Sequence, residues 1–534
     1  MRLLSLVTLV LALPVLAIFG SWLSFDAASL EVLRHQASTV LPSYAWTSLW
    51  LSLWVALGVA VVGGLTAAAV TLFDFPGRRI FEWALLLPLA MPAYVLAYAY
   101  TDFLQYSGPL ETAWRAWSGS SQRLLPDVRS LWGAVLMFVF CLYPYAYLLT
   151  RAALAERGVQ LMEAARLLGA GVVRRVRTVA LPLARPALAA GVALALMETL
   201  ADFGVVSYFG LNTFTTGIYR AWLSMDDRVA AAQLATVLLL VVAVLLWLER
   251  RAQRRLRFAT ARPGAAQGPE ARPIVLRGRH AAWAWVLCAL PVLLGFVLPV
   301  GVLLHLLWQE ARYAELGLPW ARFAQWGWTS LRLAALAALA AVGLALALAF
   351  AQRDRPGPVL RAMARVVSLG YAVPGAVIAV GILLPAAWVQ AYWPDSGATA
   401  WVTGTALGLI YAYLVRFSAV ALQSVESGYA RIPTTLDESA RMLGATRWRL
   451  LGRLHLPLLR RSALAAALLV FVDVMKELPA TYVLRPFNSD TLAVIAYQMA
   501  KDERLGEAAL PSLAIVLVGL LPVILLSRAL RQRG

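Results

Sequence analysis

Lysine is almost missing from this chain: of its 47 Lys+Arg only Lys476 and Lys501 are lysine. A phosphate-binding loop needs Gly-Lys followed by Ser or Thr, because the lysine must reach the terminal phosphates of the nucleotide. Lys476 follows Met475 and Lys501 follows Ala500, so the chain has no such loop. Cysteine is as scarce. Cys141 and Cys288 both fall in apolar runs, which implies no disulfide framework. His35, His280, His305 and His455 are scattered and suggest no metal cluster; His455 is expected at a surface or an interface. Neither His-Glu-x-x-His nor Gly-x-Ser-x-Gly occurs, so an intramembrane hydrolase has no motif to stand on.

Charge is the other shortage. Only 14% of the 534 residues are charged, 61% are hydrophobic, and the mean hydropathy of +0.72 lies far outside the range of a water-soluble domain. Runs such as 3–25, 46–72, 131–150, 230–248, 331–350 and 508–526 are each long enough to cross about 30 Å of hydrocarbon as a helix. The pattern predicts an all-α polytopic membrane protein of about twelve spans. The first run lacks a small-x-small cleavage site before Asp26 and is read as a retained helix.

A net charge of +19 raises nucleic acid as a partner, but the arginines follow membrane topology. With the amino terminus inside, most Lys and Arg fall in cytoplasmic segments, as the positive-inside rule requires, and both termini are then cytoplasmic. The stretch Glu249–His280 alone carries nine arginines, a patch suited to anionic lipid, and no nucleic acid is expected.

The chain repeats itself. Thr47-Ser48-Leu49 pairs with Thr329-Ser330-Leu331 at an offset of 282, Pro76-Gly77 with Pro356-Gly357 at 280, Met91-Pro92-Ala93 with Val373-Pro374-Gly375 at 282, and Leu181-Pro182-Leu183 with Leu456-Pro457-Leu458 at 275. Six spans per half, an even number, make the halves parallel repeats about an axis along the membrane normal. The expected organisation is a first half over 1–249 with its core at about 45–248, a basic cytoplasmic linker over 250–280, and a second half over 281–534 with its core at about 327–527. Arg, Ala, Gly and Pro dominate Arg250–Arg279, a composition suited to a linker with no packed element.

Between the fourth and fifth spans of each half lies a matched loop: Glu163-Ala164-Ala165 to Gly169 and Pro182, and Glu438-Ser439-Ala440 to Gly444 and Pro457, with identical Glu-to-Gly and Gly-to-Pro spacings. Leu161, Ala164, Ala165 and Leu168 recur at helical spacing, and Gly169 can supply the left-handed residue that ends a helix. A basic helix follows over 171–180, and Pro182 is expected to break it from the next span. Amphipathic helices lying on lipid headgroups would explain the arginines equally well, but not two copies with one spacing. The loops resemble the EAA loops of binding-protein-dependent ABC import permeases. That resemblance implies the type I importer permease fold, with Glu163 and Glu438 where each knob meets an ATPase subunit. It also implies two ATPase subunits that use ATP and Mg, a periplasmic substrate-binding protein, and a bacterial inner-membrane location. No cofactor is expected on this chain, no second permease chain is needed, and the permease itself is not an enzyme. A proton- or sodium-coupled secondary transporter is the rival class.

After each loop, Ala195-Leu-Met-Glu-Thr-Leu-Ala-Asp-Phe-Gly204 to Arg220 and Val472-Asp-Val-Met-Lys-Glu-Leu-Pro-Ala-Thr481 to Asn488 resemble the ferric-iron subfamily. Ser439 departs from the triplet, and Val179 and Leu454 stand where that family commonly has isoleucine. Fused permeases for thiamine, polyamines and phosphonates share the architecture, so the loops do not assign the cargo. At offset 275, Glu198 aligns with Asp473 and Asp202 with Glu477. Each half thus places two carboxylates four residues apart, expected on one face of the fifth span at about 17 Å depth, at 1.5 Å per residue. Carboxylates suit a hard cation, and transient contact with ferric iron in transit is the expectation they raise. The structural alternative is an intrahelical pair between Lys476 and Asp473.

Overall fold

The computed structural model describes residues 2–24, 27–155, 159–260, 273–313 and 317–531. It is almost wholly helical. Ten helices are long and apolar enough to cross a membrane among the described residues, and an eleventh span is formed if Arg78–Ala90 and Ala93–Ser118, which meet at 91°, count as one. The twelfth position of the repeat is held by Leu456–Met475, whose 20 residues include Arg460, Arg461 and Asp473 and are accordingly less apolar. The 91° bend falls at Met91-Pro92, since Pro92 cannot donate the bond a continuing helix would need.

Two compact units result, and each draws on both sequence repeats. One comprises Thr39–Thr216, Leu240–Leu318 and Ala496–Gly534. Its centre is the trio Leu41–Leu72, Leu131–Ala153 and Leu181–Ala201. Small residues let these backbones close: a Cβ on Gly63 would lie 2.7 Å from Ala146 Cβ, and one on Gly191 would lie 2.5 Å from Ala146 Cα. The helix Arg279–Val292 and its continuation join this unit, with the Tyr100 hydroxyl donating to the Leu294 carbonyl at 2.7 Å.

The other unit comprises Met1–Ser38, Gly217–Leu239 and Pro319–Ile495. Its centre is Trp320–Asp354, Ala406–Tyr429 and Leu456–Met475, where Gly428 closes on Ser462 as the small residues do in the first unit. The amino-terminal helix Arg2–Gly20 packs here against Gly375–Tyr392; a Cβ on Gly381 would sit 2.2 Å from the Pro14 carbonyl. The first span of each repeat is therefore built into the body of the other.

The reading of Arg250–Arg279 as free of packed structure is corrected at both ends. The helix begun at Arg228 continues to Thr260, and Ile274–Val275 forms a short parallel pairing with Phe73–Asp74, closed by a 2.8 Å bond from the Leu276 amide to the Asp74 carbonyl. Two β-branched residues after Pro273 favour that extended segment. Residues 261–272 lie outside the described residues.

Candidate functional site

The matched loops fold alike. Val159–Leu167 and Thr434–Met442 are short helices, each ended by a left-handed glycine, Gly169 at φ +81° and Gly444 at φ +78°. In the first loop the Gly169 amide bonds the Arg166 carbonyl at 2.9 Å and the Ala170 amide bonds the Ala165 carbonyl at 3.0 Å. In the second, Gly444 bonds Arg441 and Ala445 bonds Ala440 at the same distances. This is the Schellman arrangement, which satisfies the orphan carbonyls of a helix end. No heavy atom lies within 4 Å of a Cβ built on either glycine, so the backbone angle and not space demands glycine there.

At each tip two large apolar side chains stand clear of the protein: Leu167 and Leu168 are 84% and 88% exposed, Met442 and Leu443 both 89%. Glu163, Ala164, Glu438 and Ser439 are exposed beside them, Ala165 and Ala440 half-buried; Ser439 donates back to the Thr435 carbonyl at 2.8 Å. The expected break at the prolines is absent. Val176–Ala180 and Leu450–His455 are π-helical and run without interruption into the spans that contain Pro182 and Pro457. The amide preceding each proline bonds five residues back, Leu181 to Val176 and Leu456 to Leu451. The step to the wider π register just before each proline lets that residue, which has no amide hydrogen to donate, sit in the helix without breaking it.

Beneath the knobs the repeats diverge. The first rests on an apolar cluster of Leu72, Leu154, Met162, Ala180 and Ala184, against which Phe73, Val176, Val179 and the linker residue Ile274 pack. Arg175, buried, donates to the Met162 carbonyl at 3.4 Å. The second rests on a polar network. Asp437, 4% exposed, accepts from Arg353 Nε at 2.7 Å and meets His455 Nε2 at 3.0 Å; His455 Nδ1 meets the Tyr429 hydroxyl at 3.2 Å, and Arg353 also donates to the Ile432 carbonyl at 2.9 Å. His455 is 0% exposed, with its ring edge-on to Phe350, which overturns its placement at a surface. Burial works to raise the Asp437 carboxyl, but the hydrogen bonds from Arg353 and His455 outweigh it and hold the group below the usual range. Outside this network Arg441 and Asp354 pair at 3.1 Å. Sequence reasoning missed Arg353, Tyr429 and Asp437, although an acid immediately before Glu438 on the inward face of its helix was a readable signal.

The four carboxylates after the loops do not share helix faces. The helices end at Ala201 and Met475, so Asp202 and Glu477 lie past the ends and cap the next short helices. Asp202 accepts from the Val205 and Val206 amides at 2.9 and 3.4 Å. Glu477 accepts from the Ala480 and Thr481 amides at 2.9 Å each, from the Thr481 hydroxyl, and from Arg416 at 3.3 Å. A side-chain oxygen is the usual way to satisfy orphan amides where a chain restarts as helix. Glu198 is half-buried inside its helix, and Asp473 pairs with Lys476 at 2.9 Å, the intrahelical alternative. The pair 198/202 belongs to one unit and 473/477 to the other, and among the described residues no three His, Cys, Asp or Glu are gathered to hold a metal.

A model of the family "Binding-protein-dependent transport system inner membrane component" matches the chain twice, over residues 60–258 and 341–533. The Fe(3+)-transport system permease protein FbpB 2 of Haemophilus influenzae is 24% identical over 471 residues, covering 88% of this chain and 86% of that protein. The sulfate transport system permease protein CysW of Escherichia coli is 29% identical over 252 residues, 46% of this chain and 84% of its own. The molybdenum transport system permease protein ModB of the same species is 29% identical over 191 residues, 34% and 81% respectively.

Proposed function

We infer, since the chain belongs to the family of binding-protein-dependent transport system inner membrane components, that it is the permease of an ATP-driven importer and carries ferric iron. The observation that carries the coupling role is the pair of knobs. Two helices with one spacing, one Schellman end and one exposed apolar tip each suit a groove on a partner protein. We place an ATPase subunit at each knob, two in all, with ATP and Mg used there and not on this chain. Glu163 and Glu438 then lie at the rim of the contact, with Gly169 and Gly444 setting its angle. ATP-driven closure of the partners would move the knobs, and the permease would rock between inward- and outward-open states. The substrate-binding protein docks on the opposite, periplasmic side, and both termini are cytoplasmic. A secondary transporter has no use for paired knobs.

Iron is favoured by the relative from Haemophilus influenzae, whose match covers 88% of this chain. Uptake in a strain deleted for the gene and complemented with it tests this, with radioactive ferric iron, thiamine, a polyamine, sulfate and molybdate as parallel cargoes. Loss of iron uptake alone is expected; unchanged iron uptake with loss of another cargo reassigns the substrate and leaves the importer role intact. Purification tests the role itself, since a permease of this class should emerge with its ATPase bound.

A further inference from the structure

The two seats beneath the knobs correspond at three positions: Leu154, Met162 and Ala180 of the apolar cluster align with Tyr429, Asp437 and His455 of the polar network at the offset of 275, while Arg353 stands where the first repeat has Thr71, at the offset of 282 that holds along that span. One fold thus fastens the same knob by two chemistries. In the first repeat, apolar packing closed by Ile274 from the linker holds the knob, and a buried cation there, Arg175, reaches a backbone carbonyl. In the second, the buried charged fastening between the knob helix and the spans below passes through one carboxylate, with the more exposed Arg441–Asp354 pair at 3.1 Å beside it. Arg353 at the end of Trp320–Asp354 holds one oxygen of Asp437, His455 at the head of Leu456–Met475 holds the other, and Tyr429 at the end of Ala406–Tyr429 holds the far side of the imidazole.

We propose that Asp437 is the positioning residue of the second knob, fixing Glu438–Gly444 on three spans at once, so that coupling through the second half depends on a buried charge network while coupling through the first does not. This rests on the coupling reading given above. Three spans converge on Asp437, so any relative movement of their ends must pass to the knob or break a charged hydrogen bond. Apolar burial is non-directional and keeps its contacts as surfaces shift sideways, whereas a charge-assisted hydrogen bond between buried partners is short and directional and tolerates little displacement. The second knob is therefore the stiffer lever.

The test uses the full chain with its ATPase bound, in three readings: nitroxide mobility at Leu443→Cys or Leu168→Cys, ATPase retained on purification, and radioactive ferric iron moved per ATP hydrolysed in cells or vesicles. Asp437→Asn is expected to mobilise the label at 443 but not at 168, and to lower the transport ratio at least about fivefold while the protein still inserts. Arg353→Gln should do the same, and the double variant should be no worse than either single, as befits one linkage. Met162→Leu in the apolar seat should stay within about twofold of wild type. A ratio within twofold for Asp437→Asn, losses that multiply in the double variant, or an equal loss in Met162→Leu overturns the proposal. If Asp437→Asn is not recovered from the membrane, the double variant, which buries no lone charge, decides. A low ratio with a mobile 443 label supports the proposal, and wild-type behaviour overturns it. Leu168→Asp together with Leu443→Asp separates the two readings: if the ATPase stays bound with both tips made acidic, the coupling role fails and the inference falls with it. If the ATPase is lost from the tip variants but Asp437→Asn is normal, the inference alone fails.

Discussion

Arg416 lies 3.3 Å from a carboxylate oxygen of Glu477, and both side chains are buried. The first repeat has Cys141 at the position of Arg416, and its Sγ donates to the Met91 carbonyl at 3.1 Å. Asp202 accepts from the Val205 and Val206 amides, a role an asparagine side chain can also fill. Removing one member of a buried ion pair leaves the other uncompensated, at a cost of about 3–5 kcal/mol. Glu477→Ala is thus expected to lower the unfolding temperature of the purified protein markedly. Asp202→Asn should shift it little, since asparagine caps as well as aspartate. Thermal unfolding in detergent compares the two, and equal effects would deny Arg416 its role.

Glu198 and Asp473 sit inside their helices, and they bear the proposal that iron meets carboxylates on its way. Glu198→Gln should lower iron uptake severalfold with assembly intact. Asp473→Asn should do the same, with Lys476→Met as the control that removes the intrahelical pair but keeps the carboxylate. Uptake unchanged in both amide variants would assign the carboxylates to helix packing.

How much of this was legible depended on what a linear pattern encodes. The spans, the repeat and the left-handed Gly169 and Gly444 were readable because hydropathy, offset and glycine placement are local properties. The breaks after Ala201 and Met475 were not, because the residues around Asp202 and Lys476 look helical until Asp202 and Glu477 are seen turning to cap the next segment. The π-helical approach to Pro182 and Pro457 escaped for a similar reason: a proline reads as a break unless the bond register has already stepped by one. His455 was misplaced because its partners Asp437 and Tyr429, and the Arg353 that shares Asp437, come from separate helices, and no window of residues shows an ion network.

The two left-handed glycines give a prediction about coupling. A β-branched residue at φ near +80° costs roughly 1–2 kcal/mol at each site, and nothing nearby offers compensation. Gly169→Val with Gly444→Val should leave the protein in the membrane, because neither residue lies in a span, yet turn both tips away from their partners. ATP hydrolysis per molecule of cargo should rise severalfold. Retention of wild-type uptake and of bound ATPase would remove the knobs from the mechanism.

The Asp437 carboxyl gives a dependence on pH whose sign is fixed by its partners. Burial raises it, but Arg353 and His455 together hold it below the usual range, so the folded state binds its proton less readily than the unfolded chain, where an aspartate titrates near 4. The network's contribution is then complete above about pH 5, where Asp437 is ionised in both states, and fades as the pH falls through the lowered value of the folded protein. Asp437→Asn has no such proton to gain. Its unfolding temperature should lie below that of wild type at pH 7, and the gap should narrow as the pH is taken down toward 3. A gap that stays constant across that range would mean that Asp437 fastens the knob by shape and not by charge.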